Sequence, residues 1–198
     1  MKRYEEIDIL KGIAVICMII FHFFYFPNQY GFKEIEYNTL TLKTIAKVAQ
    51  IIFITCVGVN LVFAKQKNKD PNAHLQRVGK LAFYAVLMSL FTYLVFEERY
   101  VKFGILHFVA FSSLLLFMFV DDVETMKVIT GVFVILFILN KVKPELFHSI
   151  PQPFAFVGGF YNDRYSSIDH FPILPWILLI CLGTFIGHYL ANNDVNTP

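Results

Sequence analysis

The chain has 198 residues, of which 57% are hydrophobic and 16% charged, and its formal net charge is +2. Soluble domains carry about 45–50% apolar and ~25% charged residues, so this composition excludes an ordinary soluble globular domain. A balance so near neutrality also lacks the strongly cationic surface that nucleic-acid partners require.

Uncharged runs cover residues 12–32, 48–64, 81–96, 103–120, 128–140 and 171–193. Crossing ~30 Å of hydrocarbon takes about 20 mostly apolar residues, somewhat fewer where lysine and arginine snorkel at the ends. All but one of the runs reach that length with their flanks. The exception is 128–140, which Met126 and Val142 can extend. The prediction is an all-α, polytopic membrane bundle of about six transmembrane helices, at 8–26, 43–65, 78–97, 102–120, 126–142 and 171–191. They form a single integral-membrane domain over residues 1–198.

The first helix, "DILKGIAVICMIIFHFFYF", is unlike a cleaved signal peptide: Asp8 and Lys11 intrude, and bulky aromatics stand where a small-residue cleavage site belongs. Lys11 and His22 are eleven positions apart. At ~100° per residue they share one helix face, ~16 Å apart along the axis, with Asp8 and Met18 near the same stripe. Two readings stay open. Asp8 and Lys11 can be an i,i+3 pair at the inner interface with His22 at the outer one, or the stripe can carry chemistry, with His22 as a general base.

The 27–42 link holds Pro27 and Gly31 as breakers. The next link, "KQKNKDPNAHLQRVGK" over 65–80, has Lys65, Lys67, Lys69, Arg77 and Lys80 against Asp70 alone. Basic loops stay cytoplasmic, so this link, both termini and 121–127 are expected inside, in a multi-pass cell-membrane protein. Asp121, Asp122 and Glu124 in the last of these read as a solvated turn.

An ionisable residue in lipid is costly and faces the bundle interior by default. His107, in "FGILHFVAFSSLL", fits either a satisfied interior histidine or a site histidine, while His188 in a last helical turn suits the macrodipole. The 143–170 segment is too long for a mere connector. It leads into "YSSIDHFPILPW", where Ser166, Ser167 and Asp169 read as caps of the last helix and Pro172 and Pro175 sit in its first turn. Asp169 and His170 fall on the outer side with His22. Cys17, Cys56 and Cys181 lie inside apolar runs without CxxC spacing, as small buried residues rather than a disulfide framework or metal site.

"EEIDILKGIAVICMIIFHFFY", "FITCVGVNLVFAKQ" with "RVGKL", "VKFGILHFVAFSSLLL" and "YSSIDHFPILPWILLICLGTFIG" occur in this order. Together they resemble the prokaryotic membrane domain related to the catalytic region of heparan-alpha-glucosaminide N-acetyltransferase, over about residues 3–190. The D-x-F-P-x-L-P-W block is the most specific part. A weaker similarity links the first helix to integral-membrane acyltransferases that decorate sugars, with Lys11 in the place of their arginine and His22 in register.

The resemblance implies an acyltransferase. It would take an acyl group, acetyl foremost, from acyl-coenzyme A and pass it to a sugar, glycolipid or other envelope acceptor, without a metal. It implies His22 as base or acyl carrier, His107, Asp169 and His170 as groups that orient it or hold the acceptor, and Lys11, Arg77 and Lys80 against coenzyme A phosphates. The eukaryotic enzyme's active histidine lies beyond its first helix, and the 27–42 link here has none. The implied partners are the lipid bilayer, acyl-coenzyme A and the acceptor, with a homo-oligomer left open. A small transporter and a non-catalytic membrane subunit are the alternatives.

Overall fold

The computed structural model describes residues 4–32, 34, 36–67, 70–148 and 167–195. Most of the 143–170 segment, Ser166 and Lys69 therefore lie outside the described residues. The helices are α1 (Glu5–Gln29), α2 (Leu40–Lys67), α3 (Pro71–Phe96), α4 (Ile105–Leu116), α5 (Val123–Val142), α6 (Glu145–His148) and α7 (Ile173–Val195). Among the described residues the only β pairing is one isolated parallel bridge, Phe103 with His170. The all-α membrane architecture is as expected: α1, α2, α3, α5 and α7 are long and apolar enough to cross a bilayer, and α4 is a shorter apolar helix.

Local chemistry moves several boundaries. Asp70 caps α3, its carboxylate accepting from Asn72 N at 2.9 Å with proline next in line. This is a helix-start signature, so "DPNAH" forms the first turn of α3 instead of belonging to the link. Asp122 caps α5 in the same way, accepting from the amides of Glu124 and Thr125. The run that looks short in the sequence thus becomes a full 20-residue helix.

The fourth span is the one that is short. α4 has 12 residues because 101–104 are not helical. That is about 18 Å of helix, short of the ~30 Å of hydrocarbon, so among the described residues five helices rather than six are long and apolar enough to cross. In α7, Leu174 is extended (φ −95°, ψ 131°) as the residue before Pro175, so regular helix begins at that proline.

Residues 1–56 and 57–198 form two compact units, with the boundary inside α2. In the first, Ala14 on α1 and Ala49 on α2 are fully buried. In the second, α4 packs against α3 and α7, and α5 packs against α7. Phe108, Leu116, Val120, Met126, Ile177 and Ile180 are fully enclosed there. Outward-facing apolar side chains such as Leu94 (81% exposed) and Val128 (68%) would form an aggregating surface in water; hydrocarbon is their solvent.

The last turns of α2 meet α7 backbone to backbone. A Cβ at Gly58 would run into the Ile180 carbonyl and lie 2.9 Å from Gly183 Cα, and one at Gly187 would come within 3.0 Å of Val62. Gly183 and Gly187 form a small-xxx-small face, which membrane helices use because close packing must replace a hydrophobic drive. Gly58→Ala is therefore expected to destabilise the protein by about 1–3 kcal/mol. Gly131→Ala, where an added Cβ meets nothing within 4 Å, should be neutral or gain ~0.5–1 kcal/mol from helix propensity. Thermal unfolding of the two variants in one detergent checks the contrast.

Candidate active site

In the 1–56 unit, the half-buried positions of α1 include Asp8, Lys11, Met18 and His22, so the stripe expected from spacing is real. Lys11 Nζ is 3.2 Å from Asp8 Oδ1, the i,i+3 pair. His22 Nδ1 lies 2.7 Å from the Met18 carbonyl oxygen. A carbonyl can only accept, so Nδ1 carries the proton and Nε2 keeps its lone pair. The ring is stacked on Phe26 at 5.0 Å and flanked edge-on by Phe21 and Tyr25, which fixes its plane. A histidine held in this way is oriented as a proton acceptor.

His107, in the 57–198 unit, is arranged the opposite way. Gly104 N–H donates to its Nδ1 at 3.3 Å, which leaves the proton on Nε2, 3.3 Å from Ser89 Oγ. Ser89 in turn donates to the Val101 carbonyl at 2.6 Å. Serine next to histidine suggests a nucleophile and its base, but this imidazole's lone pair is already engaged by a backbone amide. Here the pair braces the start of α4.

The residues around it complete a clip. Val101 N–H donates to Thr92 Oγ1 at 3.0 Å, Lys102 N–H to Ser167 Oγ at 3.4 Å and Ile105 N–H to Asp169 Oδ2 at 3.0 Å. Ile168 N–H reaches Arg99 O and Phe171 N–H reaches Phe103 O, each at 2.9 Å. Asp169 is thus a cap, but of α4; the expectation that Ser167 and Asp169 cap their own helix is corrected, because both are engaged across the clip. The structure brings His107 and Asp169 together at the start of α4. His170 is half-buried beside them. Burial holds its pKa below the ordinary histidine value, with the Phe103 backbone hydrogen bond opposing.

At the other end of α4, Lys65 is only 8% exposed and its ammonium lies 4.7 Å from the centre of the Phe117 ring. His74 stacks on the same ring at 3.6 Å and bonds the Ser113 carbonyl at 3.2 Å. Lys65 is therefore a packed residue, whereas Arg77 and Lys80 stand exposed on α3. Sequence reasoning passed over Ser89, Thr92 and His74. Serine and threonine in an apolar run were the available signal for the first two, and the Asp-Pro helix start for the third.

The family model described as heparan-alpha-glucosaminide N-acetyltransferase, catalytic, matches residues 3–198. No curated protein and no solved structure matches the chain.

Asp169→Ala strands a part-buried amide at the start of α4 and should cost about 1–2 kcal/mol, with Asp169→Asn costing less because an acceptor remains; chemical denaturation in detergent reads the order. His170 yields a pH dependence. The folded chain takes up its proton less readily than the unfolded chain, so its contribution is complete above a pH of about 6.5 and declines as the pH falls from there toward the lowered folded value. Melting temperatures at pH 7.5 and 5.5 should draw closer in His170→Gln than in the wild type.

Proposed function

The chain belongs to the heparan-alpha-glucosaminide N-acetyltransferase catalytic family, whose members are acetyltransferase-type membrane enzymes, and from that premise we propose that it moves an acetyl group from acetyl-coenzyme A to a hydroxyl or amine on a sugar or glycolipid acceptor. His22 is the general base. Its Nδ1–H is anchored on the Met18 carbonyl, so Nε2 is available to take the acceptor's proton. The acceptor oxygen or nitrogen attacks the thioester carbonyl, and the tetrahedral intermediate collapses with cleavage of the C–S bond. The coenzyme A thiolate leaves and recovers the proton from the His22 imidazolium, giving free thiol and the acylated acceptor.

The hydrogen bond from His22 to Met18 is the observation that supports this role most directly. His107 and Asp169 are positioning residues in the same proposal: they hold the start of α4 while the acceptor binds. Lys11, Arg77 and Lys80 supply positive charge for the phosphates of coenzyme A. On this reading the α2–α3 end and both termini are cytoplasmic, in the cell membrane, and residues 1–198 act as one acyltransferase-like domain. A homo-oligomer is compatible with it.

His22→Ala should reduce thiol release by about a hundredfold to ten-thousandfold, with glucosamine as the probe acceptor, while acetyl-coenzyme A binding is kept. Lys11→Ala should weaken that binding. Wild-type behaviour of both variants in nanodiscs would overturn the roles given to this helix.

A further inference from the structure

Lys65 in the last turn of α2 and His74 in the first turn of α3 are each only 8% exposed. The Phe117 ring at the end of α4 gathers both. The Lys65 ammonium lies 4.7 Å from its centre, and the His74 ring lies parallel to it, within 2°, at 3.6 Å. Arg77 follows on the same face of α3, and it and Lys65 both act on the imidazole electrostatically.

The charge gathered here is not balanced. Among the described residues no carboxylate pairs with Lys65 or Arg77. Asp70, the nearest acid along the chain, is engaged as the cap of α3. His74 brings no negative charge, and its Nε2–H is given to the Ser113 carbonyl. An enclosed ammonium has lost much of its water, and the face of one ring replaces only part of that solvation.

Depth in the membrane narrows the choice of anion. Residues 65–80 separate the uncharged runs 48–64 and 81–96, so the cluster lies at the level of the lipid headgroups. Basic pockets between membrane helices hold acidic headgroups at that level, and lysine and arginine complement phosphate oxygens. We propose that Lys65 and Arg77 bind the headgroup phosphate of an anionic phospholipid, which ties the end of α2 to the start of α3. The site does not depend on the acyltransferase reading; lipid and acyl donor would alternate at Arg77.

Melting temperatures of the full chain in phosphatidylcholine nanodiscs, with and without phosphatidylglycerol, test it. Phosphatidylglycerol should raise the wild-type value by about 3–6 °C. Lys65→Gln should lose most of that rise, and Lys65→Arg should keep it. Arg77→Gln alters an exposed side chain, so it should fold and lose part of the rise. Lys127→Gln removes an exposed charge at the start of α5 and should respond as the wild type does. An undiminished rise in Lys65→Gln or Arg77→Gln would overturn the site. So would an equal loss in Lys127→Gln, which would make the effect one of net charge. A rise produced by inorganic phosphate in phosphatidylcholine alone would overturn the lipid in favour of a free anion. Should Lys65→Gln not fold, Arg77→Gln against Lys127→Gln decides on the same terms.

Discussion

A bilayer offers no water to a backbone amide, so every peptide group at depth must find its partner inside the protein. The α helices meet this demand by themselves. The stretch from Val101 to Gly104 cannot, because it is not helical, and much of the 57–198 unit is arranged around it. Thr92, Ser167, His107 and Asp169 each accept one of the amides between Val101 and Ile105, and Phe103 and Arg99 lend carbonyls to the segment entering α7. Polar residues that look like chemistry in an apolar sequence are here the substitute for water.

This constraint separates the two histidines that the sequence treats alike. Both stand in apolar helices with serine or aromatic neighbours. A carbonyl facing Nδ1 of His22 and an amide facing Nδ1 of His107 fix opposite tautomers. One ring keeps a lone pair at Nε2, while the other has its lone pair engaged by the chain. A single atom's hydrogen-bond role thus fixes which ring nitrogen carries the proton, and nothing in residue type or spacing carries that information.

The same division applies to the charges. Lys65, Arg77 and Lys80 belong to one basic stretch in the sequence, yet Lys65 is buried over Phe117 while the other two remain exposed on α3. Packing takes one cation into the interior and leaves two at the surface. The glycines divide similarly: Gly58 and Gly187 admit a neighbouring helix, whereas Gly79 opens onto empty space.

The sequence by itself determined the membrane class, the all-α architecture, the helix order and the shared stripe of Lys11 and His22. These follow from composition and from the 3.6-residue period, which are local properties of the chain. The boundaries of α3 and α5 were also legible in principle, since Asp70 and Asp122 are ordinary caps. Only the tertiary structure decided that the fourth apolar helix has just 12 residues, that Asp169 caps α4 rather than its own helix, and that His107 braces the start of α4. Each of these depends on contacts between residues such as Asp169 and Ile105, 64 positions apart, and a hydrogen bond across that distance has no periodicity from which to be read.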